Sequence, residues 1–249
     1  MSLINMGLGA IAIFLCLSNG ILIIAGWPDA VTLASSLIVV CMVLDGLDGA
    51  LARRFGGSRF GRRMDSAADF ISFCLVPAAL LWAAYFVPDR PDWGSNALCV
   101  AVAFCFAGAG LKRLVDFTRE GYKRRRFTGL ATPAAAFAAL VMVHVLPRWT
   151  HLTWGLPSPA TQLVVLGLVA ALMVAPVEYP KIKGVIGAAL AAGFCAAIGY
   201  LALRKTAWPM DEDALFAQYR VLSILGLALI LLYATGGALY AAATEGDGT

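Results

Sequence analysis

The sequence predicts an all-α membrane protein, a polytopic helix bundle of about eight transmembrane helices. Of its 249 residues, 61% are hydrophobic and only 14% are charged, and the mean hydropathy is +0.81, values that do not describe a soluble globule. A spanning helix requires about 20 mostly apolar residues. The stretches that meet this requirement are 4–26, 31–53, 65–87, 96–118, 130–147, 160–177, 184–204 and 216–242.

The links between these stretches predict the orientation of the bundle. Links rich in Pro, Trp and Gly, such as 26–29 and 88–94, have the composition of interfacial turns. Lys and Arg concentrate around the links after the second, fourth and sixth stretches, within 53–63, 112–126 and 181–183. By the positive-inside rule these links are cytoplasmic, and an even number of spans then places both termini on the cytoplasmic side. We therefore expect a single multi-pass domain, residues 1–249, among the lipids of the cytoplasmic membrane.

Charge and cysteine usage argue against several other classes of protein. The net charge of +4 comes from basic residues between apolar stretches and not from a polar face, so no nucleic-acid partner is expected. The six cysteines lie in or beside apolar stretches and form no CxxC pair. Neither a disulfide framework nor a zinc site is therefore indicated.

Two pairs of aspartates lie at the adjoining ends of the second and third stretches. Asp45 and Asp48 are three residues apart, and Asp65 and Asp69 are four apart, so each pair lies on one face of its helix. Because a short link makes the two helices antiparallel neighbours, we expect the four carboxylates to converge at the cytoplasmic side. Acids within membrane helices are costly, so this cluster requires a reason.

Two explanations of the aspartates are possible at this point. In the structural one, they cap helices or pair with nearby arginines, and a lone DxxD pattern is common by chance. In the functional one, hard divalent cations compensate the repulsion among four clustered carboxylates. A pair of such ions about 3.5–4 Å apart suits displacement at phosphorus. Four acids on two adjoining helix ends, interleaved with glycines, favour the functional explanation.

The segment from Asp45 to Asp69, DGLDGALARRFGGSRFGRRMDSAAD, resembles the signature of the CDP-alcohol phosphotransferase family, D-x2-D-G-x2-A-R-x7-8-G-x3-D-x3-D, at every fixed position. The resemblance implies that Asp45, Asp48, Asp65 and Asp69 hold two Mg²⁺ or Mn²⁺ ions, which bind the pyrophosphate of a CDP-lipid. It also implies that Asp69 is the catalytic base that deprotonates the acceptor hydroxyl. The residues expected to bind the CDP-lipid, by contact or by leaving room for the nucleotide, are Asp45, Gly49, Ala52, Arg53, Gly61 and Asp65.

Within that family the chain is most similar to the phosphatidylserine synthases. The similar stretches are 5–9, 113–118, 127–136 and 172–183. The chain departs from the residues usual in those enzymes at Asp116, Thr118 and Ala131. The likeness implies transfer of a phosphatidyl or archaetidyl group to the hydroxyl of L-serine, with release of CMP, by a homodimer.

The acceptor site and the reaction class each leave alternatives open. Arg113, Lys181 and Lys183 lie at cytoplasmic helix ends and are candidates to bind the serine carboxylate. Inositol phosphate, glycerol phosphate and choline are alternative acceptors, and the donor lipid is diacylglycerol or archaeol. A divalent-cation transporter is the alternative from another class, because intramembrane carboxylates also mark ion pathways. All four aspartates lie near one interface and not near the midplane, which favours the enzyme.

Overall fold

The computed structural model describes residues 1–19, 30–55, 59–87, 93–120, 126–144, 159–176 and 178–180. Within these ranges the chain is helical except for one short two-stranded ribbon. The elements in chain order are α1 (Ser2–Leu17), α2 (Ala30–Phe55), α3 (Arg59–Phe70), a π-helical turn (Ile71–Leu75), α4 (Val76–Tyr85), α5 (Trp93–Glu120), β1 (Arg126–Thr128), α6 (Thr132–His144), α7 (Pro159–Val174) and β2 (Glu178–Pro180).

Three helices in the described part of the chain are long and apolar enough to cross a membrane. They are Ala30–Gly49, Arg63–Tyr85 and Trp93–Asp116, with mean hydropathies of 2.1, 1.8 and 1.8. These helices coincide with the second, third and fourth predicted stretches, so the helical prediction is confirmed there. Shorter apolar helices occupy much of the fifth and sixth stretches. The predicted stretches 184–204 and 216–242 lie outside the described residues.

The first helix is shorter than the apolar stretch 4–26 predicts. α1 ends at Leu17, and the backbone N–H of Ser18 donates to the carbonyl of Phe14 at 2.9 Å to close its last turn. The rest of that apolar stretch, 20–26, lies outside the described residues. With 16 residues, α1 is shorter than the roughly 20 that a spanning helix needs.

A π-helical turn joins α3 to α4 directly after Asp69. Its defining hydrogen bond runs from the backbone N–H of Val76 to the carbonyl of Ile71, five residues earlier. Pro77 follows in the first turn of α4 and has no N–H to donate to the carbonyl four residues before it. A widened turn at this point accommodates the proline. A π-helical turn also shifts the residues that follow it around the helix axis. Asp65 and Asp69 therefore need not lie on the same face as the apolar residues of α4.

The core lies between α4, α5, α6 and α7, with α1 packed along α2, α3 and α4. Its largest fully buried side chains come from several of these elements: Phe73, Phe106, Ile38, Leu80, Leu81, Leu163 and Leu166. Close contact depends on small residues at two crossings. A Cβ atom on Gly9 of α1 would lie 2.9 Å from Ser72 Oγ, and one on Gly110 of α5 would overlap Cys74 Sγ. At both glycines the helix backbone therefore packs closely against the π-helical turn.

The two-stranded ribbon is the part of the described fold that the all-α expectation omits. β1 and β2 pair antiparallel, with Phe127 opposite Tyr179. Gly129 then turns the chain into α6 with a φ of +78°, and a Cβ atom there would overlap the backbone carbonyl of Met173. Next to it, the N–H of Leu130 donates to the carbonyl of Leu172 at 3.0 Å. The ribbon and this turn attach the start of α6 to the end of α7.

Candidate metal and substrate site

The end of α2 and the start of α3 bring together three of the four predicted aspartates. Asp45, Asp65 and Asp69 each offer a carboxylate oxygen, and these oxygens all lie within 4.8 Å of one another. All three residues are half-buried. The distances agree with the convergence expected from the i, i+3 and i, i+4 spacings. The role of these residues as metal ligands stays a prediction.

One carboxylate oxygen of this cluster is buried without a hydrogen bond from any described residue. Oδ1 of Asp69 is buried and accepts no hydrogen bond within the described part of the chain. A buried polar atom left unpaired costs about 1–3 kcal/mol, and more when it is charged. Three carboxylates supply the hard oxygen donors that Mg²⁺ and Mn²⁺ prefer. The residues present therefore fit a divalent ion, which would satisfy the unpaired oxygen.

The fourth aspartate, Asp48, lies beside this group and makes a different contact. Its Oδ2 accepts a hydrogen bond of 2.6 Å from the hydroxyl of Ser2, at the start of α1. Ser2 also interacts with the carboxylate of Asp65, and Asp48 lies within electrostatic range of Asp65. The structure thus places Asp48 next to the three-carboxylate cluster but not within its shared 4.8 Å spacing. Its role as a metal ligand also stays a prediction.

α5 contributes a cation to the acidic cluster. Arg113 is half-buried and lies within electrostatic range of Asp69. Its neighbour Lys112 forms an exposed ion pair with Asp116, with 3.1 Å between Nζ and Oδ2. Of the three predicted acceptor residues, Arg113 is therefore close to the aspartates. Lys181 and Lys183 lie outside the described residues.

The small residues predicted to make room for the donor lie on the two acidic helices. Gly49 continues α2 one residue after Asp48, and Ala52 and Arg53 follow in its last turns. Gly61 lies in the first turn of α3, four residues before Asp65. A Cβ atom on Gly46, the residue after Asp45, would meet nothing within 4 Å among the described residues.

α1 contributes polar contacts that sequence reasoning did not assign to the site. Asn5 is only 3% exposed, and its backbone carbonyl accepts hydrogen bonds from Ser72 Oγ at 3.2 Å and from Cys41 Sγ at 3.7 Å. Ser72 Oγ also lies 3.3 Å from the side-chain oxygen of Asn5. The sequence likeness at 5–9 includes Asn5, but it predicted no role for this residue. For Ser2 no local signal existed, because its partner Asp48 is 46 residues away.

Comparison with known proteins gives a family match for the part of the chain that holds these aspartates. The family model described as CDP-alcohol phosphatidyltransferase matches residues 1–175, which include every described aspartate of the cluster. The chain belongs to the CDP-alcohol phosphatidyltransferase family. The resemblance expected from the motif Asp45–Asp69 is therefore confirmed.

Several named members of the CDP-alcohol phosphatidyltransferase family are similar to the chain. A CDP-diacylglycerol--serine O-phosphatidyltransferase of Mycobacterium leprae is 29% identical over 175 residues, which cover 66% of the chain and 57% of the relative. One of Methanocaldococcus jannaschii with the same name is 32% identical over 148 residues, or 59% and 63%. The archaetidylserine synthase of Methanothermobacter thermautotrophicus is 30% identical over 154 residues, or 61% and 59%. The matched regions span less than two thirds of the length of these relatives.

Membership of the CDP-alcohol phosphatidyltransferase family bears directly on the acidic cluster. The family generally uses divalent metal ions, a CDP-lipid donor and an alcohol acceptor, and its members are embedded in membranes. Asp45, Asp65 and Asp69 supply a group of oxygen ligands suited to such an ion. The apolar helices of suitable length agree with the membrane setting of the family.

Proposed function

We propose that the protein transfers a phosphatidyl or archaetidyl group from a CDP-lipid to the hydroxyl of L-serine and releases CMP. The observation that carries this proposal is the convergence of Asp45, Asp65 and Asp69 within 4.8 Å, with the buried Oδ1 of Asp69 left unpaired. The serine acceptor is supported by relatives named as serine phosphatidyltransferases or as an archaetidylserine synthase.

The four aspartates are assigned different roles in this reaction. We assign Asp45, Asp48, Asp65 and Asp69 to hold two Mg²⁺ or Mn²⁺ ions, which when bound withdraw charge from the pyrophosphate oxygens. Asp69 accepts the proton of the serine hydroxyl through the carboxylate oxygen that does not hold an ion. The hydroxyl oxygen then bonds to the lipid-side phosphorus, the bond from this phosphorus to the bridging oxygen breaks, and CMP leaves with the electron pair.

The donor and acceptor are assigned to neighbouring surfaces. The end of α2 and the start of α3 receive the cytidine diphosphate group, with Gly49, Ala52 and Gly61 leaving room and Arg53 contacting a phosphate. Arg113 binds the serine carboxylate beside Asp69, together with Lys181 and Lys183. The electrostatic proximity of Arg113 to Asp69 supports this arrangement, since it places a cation next to the proposed base.

The wider architecture is part of the same proposal. We assign residues 1–249 to one domain of eight spanning helices in the cytoplasmic membrane, with both termini and the active site facing the cytoplasm, and to a homodimer. The basic runs after the second, fourth and sixth stretches support this orientation. A cytoplasmic active site admits the water-soluble nucleotide group while the lipid chains remain in the membrane.

An assay of CMP release from the detergent-solubilised protein tests the proposed reaction. We expect release to require Mg²⁺ or Mn²⁺, a CDP-lipid and serine. Glycerol 3-phosphate, inositol phosphate and choline, offered in parallel with CDP-diacylglycerol and CDP-archaeol, identify another acceptor or donor if serine is wrong. Metal flux into liposomes without CMP release would instead support a cation transporter.

The acceptor site has its own test, because Arg113 and the two lysines are assigned to serine and not to the donor. We expect Arg113→Ala, Lys181→Ala and Lys183→Ala to raise the KM for serine about 10-fold or more, the loss of one charged hydrogen bond, while the KM for the CDP-lipid stays near that of the wild type. Lys112→Ala is the matched control, since Lys112 pairs with Asp116 on the exposed side of α5. Unchanged serine KM values in all three variants would reject this acceptor site.

A further inference from the structure

The start of α1 holds a hydroxyl group between the two acidic helices. The hydroxyl of Ser2 donates to Oδ2 of Asp48 on α2 at 2.6 Å, and Ser2 also interacts with the carboxylate of Asp65 on α3. Ser2 is not the N-cap residue of α1, since Met1 holds that position, and no side-chain hydrogen bond caps this end of the helix. The hydroxyl is therefore directed at the carboxylates.

The position of this hydroxyl is determined by the packing of the rest of α1. Ser2, Asn5 and Gly9 lie on one face of the helix, at spacings of three and four residues. Asn5 is buried and joined to Cys41 of α2 and to Ser72 of the π-helical turn. Gly9 allows close approach to the same turn, since a Cβ atom there would come within 2.9 Å of Ile71 Cγ2. α1 is thus held against both acidic segments, and Ser2 is the residue of this face that contacts Asp48 and Asp65.

We infer that Ser2 is a positioning residue for the proposed metal site: its hydroxyl orients the carboxylate of Asp48 toward the ions. This inference rests on the proposed function. A hydrogen bond from a hydroxyl to a carboxylate is strong and directional, so it selects one orientation of the carboxylate and occupies Oδ2. Oδ1 of Asp48 then remains as the oxygen that can face the cluster. Removing a residue that hydrogen-bonds to a metal ligand, without itself touching the metal, typically weakens metal affinity about 10–100-fold.

Direct binding of Mn²⁺ to the purified protein, followed by electron paramagnetic resonance, tests this inference without relying on turnover. The protein carries its affinity tag at the C-terminus, so that Ser2 keeps its environment. We expect Ser2→Ala to weaken Mn²⁺ binding about 10–100-fold and Ser2→Thr, which keeps the hydroxyl, to restore most of the affinity. Ser36→Ala is the matched control, because the hydroxyl of Ser36 donates to the carbonyl of Thr32 within its own helix, α2.

Three results would each count against a different part of the argument. The melting temperature of the metal-free protein should be nearly equal for Ser2→Ala and the wild type, and a large fall would show a structural role and overturn the inference. Equal Mn²⁺ affinity in Ser2→Ala and the wild type would overturn the inference while leaving the proposed function intact. Failure of the wild type to bind Mn²⁺ would instead refute the metal site itself.

Discussion

Replacing Asp69 with asparagine is expected to lower the rate of CMP release roughly 10²–10⁴-fold, the usual contribution of a general base. Asparagine has nearly the shape of aspartate and still offers an oxygen, but its neutral carboxamide cannot accept the proton of the acceptor hydroxyl. The structure gives this position particular weight, because Oδ1 of Asp69 is the buried carboxylate oxygen without a hydrogen bond in the described cluster. The loss should therefore fall mainly on kcat.

Donor binding distinguishes the base from a residue that only holds metal. We expect Asp69→Asn to bind a radiolabelled CDP-lipid, in the presence of Mn²⁺, better than Asp48→Asn does. Asp116→Asn is a matched control, because Asp116 lies outside the cluster and forms an exposed ion pair with Lys112; its rate should stay within about twofold of the wild type. Wild-type turnover in Asp69→Asn would refute the assignment of the base.

Replacing Gly110 with alanine is expected to destabilise the fold by about 1–3 kcal/mol, the usual cost of overpacking. A Cβ atom at this buried position would overlap Cys74 Sγ and lie 2.9 Å from Cys74 Cβ, within the π-helical turn that follows Asp69. The measurement is the melting temperature in detergent, where about 1 kcal/mol corresponds to roughly 2–4 °C for a chain of this size. Because the turn is continuous with the helix of Asp69, CMP release should fall as well.

The chain offers a matched control for this substitution on the same helix. Gly108 is exposed, and a Cβ atom there would meet nothing within 4 Å among the described residues, so Gly108→Ala should leave the melting temperature unchanged or slightly raised. Adding Cys74→Ala to Gly110→Ala removes the overlapping sulfur and should recover part of the loss. Equal melting temperatures for Gly110→Ala and Gly108→Ala would show that the π-helical turn tolerates displacement by α5.

Much of the fold and the candidate site follows from local sequence patterns. The apolar stretches 31–53, 65–87 and 96–118 became helices, because runs of that length and composition have few other stable arrangements in a membrane. The meeting of Asp45 with Asp65 and Asp69 also followed from spacing, since a short link makes neighbouring helices antiparallel. Pro77 is a local signal that was available for the π-helical turn and was not used.

Contacts between residues distant in the chain depended on tertiary packing. No periodicity predicts that Ser2 reaches Asp48, that Asn5 joins Cys41 to Ser72, or that Arg113 approaches Asp69. The ribbon of β1 with β2 was missed because hydropathy does not report strand pairing. The sequence alone thus determined the helices, the acidic motif and the family, each of which depends on near neighbours. Only the tertiary structure decided which residues from other helices surround that motif, because such contacts depend on how the helices pack.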